Sequence, residues 1–253
     1  MYCRWYSLTS IFSKESTNFI LLNQQYTYFA ILGFAFAGPL ALSFDKKVAF
    51  YKKWKYVFGA MLLPALFYIV WDNYFAGLQV WFFNPAYVLP NTFIFNLPVE
   101  EVLFFFVVPY NCIFIYECIC TYFPKLQSSK WADTALWVLA LILCIIGLVN
   151  LPLLYTSYTA IFLAIFIFFV WCFRKYFNSF NSTAFLISYA VILIPFLIVN
   201  GFLTALPVIT YNNNQNLALR IYTIPVEDVF YGMLLVMMNV VGYEKLLNRK
   251  GRQ

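Results

Sequence analysis

Long apolar stretches recur along the whole chain, with short polar segments between them. Seven of them lie at about residues 27–44, 54–71, 99–120, 134–152, 157–173, 184–206 and 226–244. As a helix that rises about 1.5 Å per residue, each can cross a hydrocarbon core roughly 30 Å thick. The stretches are continuous rather than alternating, and they exceed the roughly ten residues of a barrel strand. The pattern predicts an all-α integral membrane protein with about seven transmembrane helices.

Composition excludes a soluble globular domain. Hydrophobic residues make up 64% of the 253 positions and charged residues 10%, whereas soluble domains average roughly 45–50% and about 25%. The chain therefore lacks the polar surface that would coat a separate soluble domain, and we expect the lipid bilayer to be its main partner.

The basic residues are distributed unevenly between the two sides of the predicted spans. Of the 16, 13 fall on the side that follows the first, third, fifth and seventh spans, and the other side holds Arg4, Lys14 and Arg220. The positive-inside rule then predicts a multi-pass protein of the cell membrane with its N-terminus outside and its C-terminus in the cytoplasm. We interpret the net charge of +6 as a topology signal and expect no nucleic-acid partner. The first 25 residues lack the pattern of a secretory signal, so we expect the first span to stay as an anchor.

Cofactor and metal signatures are absent from the sequence. Six cysteines occur without any histidine, and most of them fall inside spans, so we expect small buried thiols rather than metal ligands or disulfides. The nine glycines form no Gly-x-Gly and no phosphate-binding loop. We therefore expect neither a metal nor a dinucleotide cofactor.

An internal repeat is the most informative feature. Residues 96–104 return as residues 223–231, an offset of 127 that also carries Tyr116-Glu117 onto Tyr243-Glu244. Upstream, after a shift of one residue, Asp72 lies opposite Asn200. The offset predicts two parallel three-helix repeats joined by a linker helix. We place the first repeat at 1–122, the linker with span 4 at 123–155 and the second repeat at 156–253.

Each repeat carries two adjacent acids at the start of its third span. Proline at a helix start and carboxylates in the first turn are favourable for structural reasons alone. Two copies at matching depth, joined by Asp72 and Asn200, instead favour a functional cluster, because ionisable groups in a membrane are expensive and tend to mark function. At about 100° per residue, the sequence predicts three shared helix faces: Glu100 with Phe104 and Asn111, Glu227 with Tyr231, and Asp228 with Asn239.

Carboxyl groups in this setting suit acid–base chemistry on an apolar substrate. Removal from water favours the neutral form of a carboxyl group, so some of these acids can hold a proton near neutral pH. A protonated acid that faces hydrocarbon can protonate a carbon–carbon double bond. Aromatic faces can then stabilise the carbocation, and a second carboxylate can remove a proton without any redox change.

At these residues the chain resembles the membrane-integral lycopene cyclases, in which two three-helix halves form a heterodimer or are fused in one chain. The resemblance covers nearly the whole sequence. The residues that carry it are Trp71-Asp72, Phe83-Asn84, 97–101, Pro109-Tyr110, Tyr116-Glu117, 200–204, Tyr211-Asn212, 224–232 and Asn239. One difference is Ala205, which follows Leu203-Thr204 where the family pattern has a glycine.

The resemblance implies a fused lycopene β-cyclase that closes the linear ends of lycopene into β-ionone rings and gives β-carotene by way of the one-ended product. Glu100, Glu101, Glu227 and Asp228 are then the acid and base candidates. Supporting or substrate-binding groups would be Asp72, Phe104, Asn111, Asn200, Thr204, Tyr231 and Asn239. Association with other carotenoid enzymes or with a second copy stays open, as do the division of acid and base roles and the ring isomer.

Two other functions compete with this interpretation. A proton-coupled small-solute transporter could use the same carboxylates as a relay, although charged residues near midplane or broken helices would then be expected. A carotenoid-binding protein without catalysis would tolerate exchange of the acids for amides. A prenyltransferase is disfavoured because an aspartate-rich motif is missing, and a retinal protein because the last span lacks an internal lysine.

Overall fold

The computed structural model describes residues 24–247. Cys3, Arg4 and Lys14, and likewise Arg249, Lys250 and Arg252, lie outside the described residues. The described part contains seven α-helices: α1 (Thr27–Leu42), α2 (Trp54–Gly77), α3 (Val99–Tyr122), α4 (Lys130–Val149), α5 (Leu154–Cys172), α6 (Ser182–Ala205) and α7 (Glu227–Leu247). Helices α2 to α7 are long and apolar enough to cross a membrane, and α1 is a shorter apolar helix of 16 residues. The predicted all-α membrane fold is confirmed.

The two halves of the bundle pack across each other. Helix α1 packs on α3 and α5 packs on α7, whereas α2 packs on α7 and α3 packs on α6. The second and third helices of each half therefore pack against helices of the other half. Helix α4 packs against α5 and α6, at one side of this arrangement.

Short strands connect the helices at the end of the bundle where α3 and α7 begin. They are β1 (Trp81–Phe83), β2 (Phe93–Ile94), β3 (Leu97–Pro98), β4 (Ile209–Tyr211), β5 (Arg220–Ile221) and β6 (Ile224–Pro225). Strands β2 and β3 form a hairpin before α3, and β5 with β6 forms the matching hairpin before α7. Helix α3 begins at Val99 and α7 at Glu227, so the prolines belong to the hairpins rather than to the first helical position. The acids occupy the first turn of each helix, where the helix dipole favours negative charge.

Strands β1 and β4 join the halves directly. They pair antiparallel, with Trp81 opposite Tyr211 and Phe83 opposite Ile209. The flanking amides extend this pairing, because Asn84 N–H donates to Val208 O and Asn212 N–H donates to Val80 O, each at 2.9 Å. In the internal repeat, Asn84 corresponds to Asn212 and Val80 corresponds to Val208, so each of these two bonds is the repeat copy of the other. The repeat is thus realised as an approximate twofold axis that passes between β1 and β4.

Gly147 in α4 packs tightly against α5. A Cβ atom at this position would lie 2.6 Å from Cγ1 of Ile161 and 3.2 Å from the backbone oxygen of Ser157. We expect Gly147→Ala to lower the free energy of unfolding by about 1–3 kcal/mol, since overpacking forces the helices apart. Thermal unfolding in detergent, followed by circular dichroism, would measure the change. Gly33→Ala is the matched control because no atom lies within 4 Å of its added Cβ, and equal effects of the two changes would contradict the prediction.

Candidate active site

A cavity lies between the two halves, at the end of the bundle where α3 and α7 begin. Side chains from α1, α2, α3, α5, α6, α7 and from strands β1 and β4 line it. They are Tyr28, Asp72, Trp81, Glu101, Phe104, Tyr155, Phe196, Asn200, Leu203, Ile209, Tyr211, Asp228 and Tyr231. Because both halves contribute, this is one site shared between the repeats.

Three carboxyl groups reach this cavity, and all of them are buried. Asp72 in α2 is 2% exposed, Glu101 in α3 is 6% exposed and Asp228 in α7 is 3% exposed. None of the lining residues is a lysine or an arginine. Since a buried carboxylate without a compensating partner is unstable, these groups depend on hydrogen bonds and shared protons.

Tyrosines from the first helix of each half bind the two helix-start acids. The Tyr28 hydroxyl in α1 donates to Oε2 of Glu101 at 2.6 Å. In the same way, the Tyr155 hydroxyl in α5 donates to Oδ1 of Asp228 at 2.6 Å. The two tyrosines are 127 residues apart in sequence, and so are the two acids, so the contact is repeated by the internal symmetry.

The remaining contacts of the acids are not symmetric. The Tyr211 hydroxyl donates to Oδ2 of Asp228 at 3.0 Å, while the Tyr231 hydroxyl donates to Asp72. The carboxyl groups of Asp72 and Glu101 both line this cavity and lie close enough to interact. Burial, followed by the negative charge of Asp228, raises the pKa of Tyr211 well above its ordinary value, so this residue remains a hydrogen-bond donor.

Aromatic rings form the rest of the wall. Trp81 and Tyr155 meet edge to face at 5.2 Å, and Tyr155 stacks on Tyr211 at 5.8 Å. Tyr231 contacts both Trp81 and Tyr155, with centroids 6.2 Å and 6.1 Å apart. Such faces attract cations, by roughly 0.5–2 kcal/mol each. The cavity thus combines proton donors and acceptors with a wall that can stabilise positive charge on carbon.

Comparison with models of known protein families shows which family the chain belongs to. A family model described as lycopene cyclase matches residues 25–119 and again residues 152–246. The chain belongs to the lycopene cyclase family. The two matches cover the described helices α1 to α3 and α5 to α7 almost completely and leave α4 between them, so the resemblance and the repeat are both confirmed. Neither the curated proteins nor the solved structures contain a match.

In this lycopene cyclase the first acid of each pair lies outside the cavity. Oε1 of Glu100 accepts the backbone N–H of Leu89 at 2.7 Å. Oε1 of Glu227 accepts the backbone N–H of Leu217 at 2.8 Å and the hydroxyl of Thr156 at 2.6 Å. These contacts fix the preceding loop on the helix start. Among the four predicted acid and base candidates, the structure brings Glu101 and Asp228 to the cavity and gives Glu100 and Glu227 a loop-anchoring geometry.

The other predicted site residues divide into two groups. Asp72, Phe104, Asn200 and Tyr231 line the cavity. Outside it lie Asn111, which donates to Ala35 O, Thr204, which donates to Asn200 O, and Asn239, which donates to Leu235 O. Phe104 faces the cavity together with Glu101, not with Glu100 as the sequence predicts, because the packing of α3 turns residues 101 and 104 toward the cavity.

Several lining residues of the cyclase were not predicted, foremost Tyr28, Trp81, Tyr155 and Phe196. The two tyrosines stand 127 residues apart, the same offset as Glu101 and Asp228. Extending the repeat comparison into the first helix of each half would have found them. Trp81 and Phe196 gave no comparable signal, because the sequence is rich in aromatic residues throughout.

No group of three or more His, Cys, Asp or Glu side chains within residues 24–247 is arranged to hold a metal ion. The expectation that the enzyme works without a metal or a dinucleotide stays a prediction, as do the domain boundaries at residues 122 and 155.

Proposed function

We propose that the chain is a lycopene β-cyclase, which closes the linear end groups of lycopene into β-ionone rings by an acid-initiated, redox-neutral reaction. The observation that carries this proposal is the placement of Glu101 and Asp228 on one apolar, aromatic cavity between the halves. The family relationship supplies the substrate class.

The proposed reaction uses one proton donor and one proton acceptor. A carboxylic acid adds a proton to the terminal carbon–carbon double bond of an end group and leaves a tertiary carbocation. The next suitable double bond attacks this cation, which forms the new carbon–carbon bond of the ring and moves the positive charge to a ring carbon. A carboxylate then removes a ring proton and restores a double bond. The product is an isomer of the substrate, so no electron carrier or metal is required.

The aromatic wall would protect the cation from water and stabilise it. The ring that forms would lie among Trp81, Tyr155 and Tyr231, which line the cavity together with the acids. Because a single cavity is shared by both repeats, we infer that the two ends of lycopene react one after the other. The one-ringed product should then be released or turned before the second ring forms.

Expression in a lycopene-accumulating bacterium tests this function. We expect chromatography of the pigments to show first a one-ringed carotene and later β-carotene in cells with the parent chain. The double variant Glu101→Gln/Asp228→Asn is the matched control and should leave lycopene unchanged. Unchanged lycopene in cells whose membranes contain the folded parent chain would contradict the proposal and favour a transporter. A different ring isomer would contradict the β specificity alone.

We also propose that the cavity faces the outer side of the cell membrane. The support is the charge bias: within the described residues, Lys52, Arg174, Lys175 and Lys245 flank the helix ends opposite the cavity. A cysteine introduced at Lys46 or Lys47 should therefore react with an impermeant thiol reagent only after the membrane is opened. Labelling of intact cells would reverse the proposed orientation.

A further inference from the structure

The three buried carboxyl groups are unequal in their partners. Asp228 accepts two phenol hydroxyls, one on each oxygen, from Tyr155 and Tyr211. Glu101 accepts one phenol hydroxyl, from Tyr28, and has the carboxyl group of Asp72 as a neighbour in the cavity. Hydrogen bonds from neutral donors favour a carboxylate, whereas two carboxyl groups can hydrogen-bond to each other only when one of them carries a proton.

Two differences between the repeats produce this inequality. The position of Asp72 in the first half is occupied by Asn200 in the second, so the side of Asp228 lacks an equivalent acid. The position of Tyr211 in the second half is occupied by Phe83 in the first, and a phenylalanine cannot donate to Glu101. Elsewhere the acids keep their matched tyrosines. The symmetry is thus broken at the two positions that decide which acid holds a proton.

A third difference supports the same division. Tyr231, whose counterpart in the first half is Phe104, donates its hydroxyl to Asp72 and so fixes Asp72 against Glu101. Asp72 and Glu101 come from α2 and α3, and both line the cavity. Within residues 24–247, no lysine or arginine lines this cavity to neutralise a second negative charge, and a proton held between the two carboxyls compensates for that lack.

We propose that Asp72 and Glu101 hold one proton between them and act as the acid of the cyclase, while Asp228 is the carboxylate that removes the ring proton. This inference rests on the proposed function, whose acid and base it assigns. The pair gives its proton to the terminal double bond and becomes doubly ionised. Asp228 receives the ring proton and becomes neutral. Loss of this proton from Asp228 to water and uptake of another proton from water by the pair reset the enzyme without net proton uptake.

Infrared spectroscopy of the purified protein without substrate tests the resting state. The parent should show the carbonyl stretch of a protonated carboxylic acid. Glu101→Gln should remove this band, because a single remaining carboxyl beside an amide no longer shares a proton. Asp228→Asn should retain the band and lose carboxylate intensity instead. Both changes preserve side-chain shape, and size-exclusion chromatography would verify the fold. If Glu101→Gln is not recovered, Asp72→Asn tests the same proton.

Proton transfer itself is tested in heavy water with membranes and added lycopene. The parent should place one deuterium in each ring. Both Glu101→Gln and Asp228→Asn should lower ring formation by at least about 100-fold. They should differ in the recovered lycopene, because Asp228→Asn can still protonate the substrate and return it labelled, whereas Glu101→Gln cannot. Deuterium in lycopene from Asp228→Asn should exceed that from Glu101→Gln by about tenfold or more.

The outcomes separate the two proposals. Loss of the carboxylic acid band in Asp228→Asn with retention in Glu101→Gln, or labelled lycopene from Glu101→Gln alone, would reverse the assignment while the cyclase function stands. Absence of the carboxylic acid band from the parent would contradict the proposal that Asp72 and Glu101 share a proton. Failure of the parent to form rings would contradict the proposed function, and the infrared result would still decide whether Asp72 and Glu101 share a proton.

Discussion

Replacing Glu101 by glutamine should lower ring formation by about 100- to 10,000-fold, whereas the same replacement at the neighbouring Glu100 should leave most of it. Removal of a general acid or base typically has an effect of this size. Glu101 lines the cavity and is bound by Tyr28. Glu100 instead accepts the backbone N–H of Leu89 through Oε1, and the amide oxygen of glutamine can accept the same bond. Pigment chromatography of cells that express equal amounts of each variant would measure the difference.

The two changes form a matched pair, because they remove the same charge from adjacent residues in the first turn of α3. The second repeat provides an independent copy of this comparison, in which Asp228→Asn should abolish ring formation and Glu227→Gln should not. Similar losses at Glu100 and Glu101, in proteins that are equally folded, would contradict the division between cavity-lining and loop-anchoring acids.

The contrast between these neighbours also shows what the sequence could not predict. Adjacent residues of a helix point about 100° apart, so only one acid of each pair can face a given cavity. The apolar and polar pattern normally identifies the inward face of a helix. Here lipid and neighbouring helices are both apolar, so α3 carries no stripe that distinguishes them. Glu100 and Glu101 therefore had to stay equivalent candidates until the packing of α3 was known.

The helices themselves were predictable because membrane spans are defined by length and hydrophobicity. The stretch predicted at 99–120 corresponds to Val99–Tyr122, and the one at 184–206 corresponds to Ser182–Ala205. The short strands were not predicted. Strand β1 has only three residues and pairs with β4, more than a hundred residues away. This pairing depends on the assembly of the two halves rather than on a local signal.

The internal offset predicted more of the site than any single motif. It placed Asp72 opposite Asn200 and the acids of one half opposite those of the other, and the structure brings Asp72, Asn200, Glu101 and Asp228 to the same cavity. It could not show whether the halves form two sites or one. The crossed packing, in which α2 contacts α7 and α3 contacts α6, makes a single shared site.

The opposite end of the bundle contains a partly buried ion pair, and breaking it should strongly destabilise the protein. Nζ of Lys53, just before α2, lies 2.5 Å from Oε1 of Glu117 near the end of α3. The carboxylate of Glu117 is 1% exposed and also accepts the hydroxyl of Tyr243 in α7 at 2.7 Å. The cluster therefore joins both repeats at this end.

Lys53→Met should lower the free energy of unfolding by about 3 kcal/mol, the lower end of the range for a buried pair that loses one partner. The reason is that Glu117 would keep its negative charge and its burial but lose this cation. The lower end applies because the Lys53 side chain is 26% exposed, so water can partly replace it. Unfolding of the purified protein by denaturant in mixed detergent micelles, followed by circular dichroism, would measure the change.

Lys52→Met is the matched control, since it removes the same charge from the adjacent, exposed residue and should change stability by less than about 0.5 kcal/mol. The double variant Lys53→Met/Glu117→Gln should be more stable than Lys53→Met alone, because it also removes the carboxylate charge that Lys53 faced. Equal stability of the Lys52 and Lys53 variants would mean that the pair contributes nothing. Additive losses in the double variant would mean that Glu117 stabilises the bundle through Tyr243 and its other contacts rather than through Lys53.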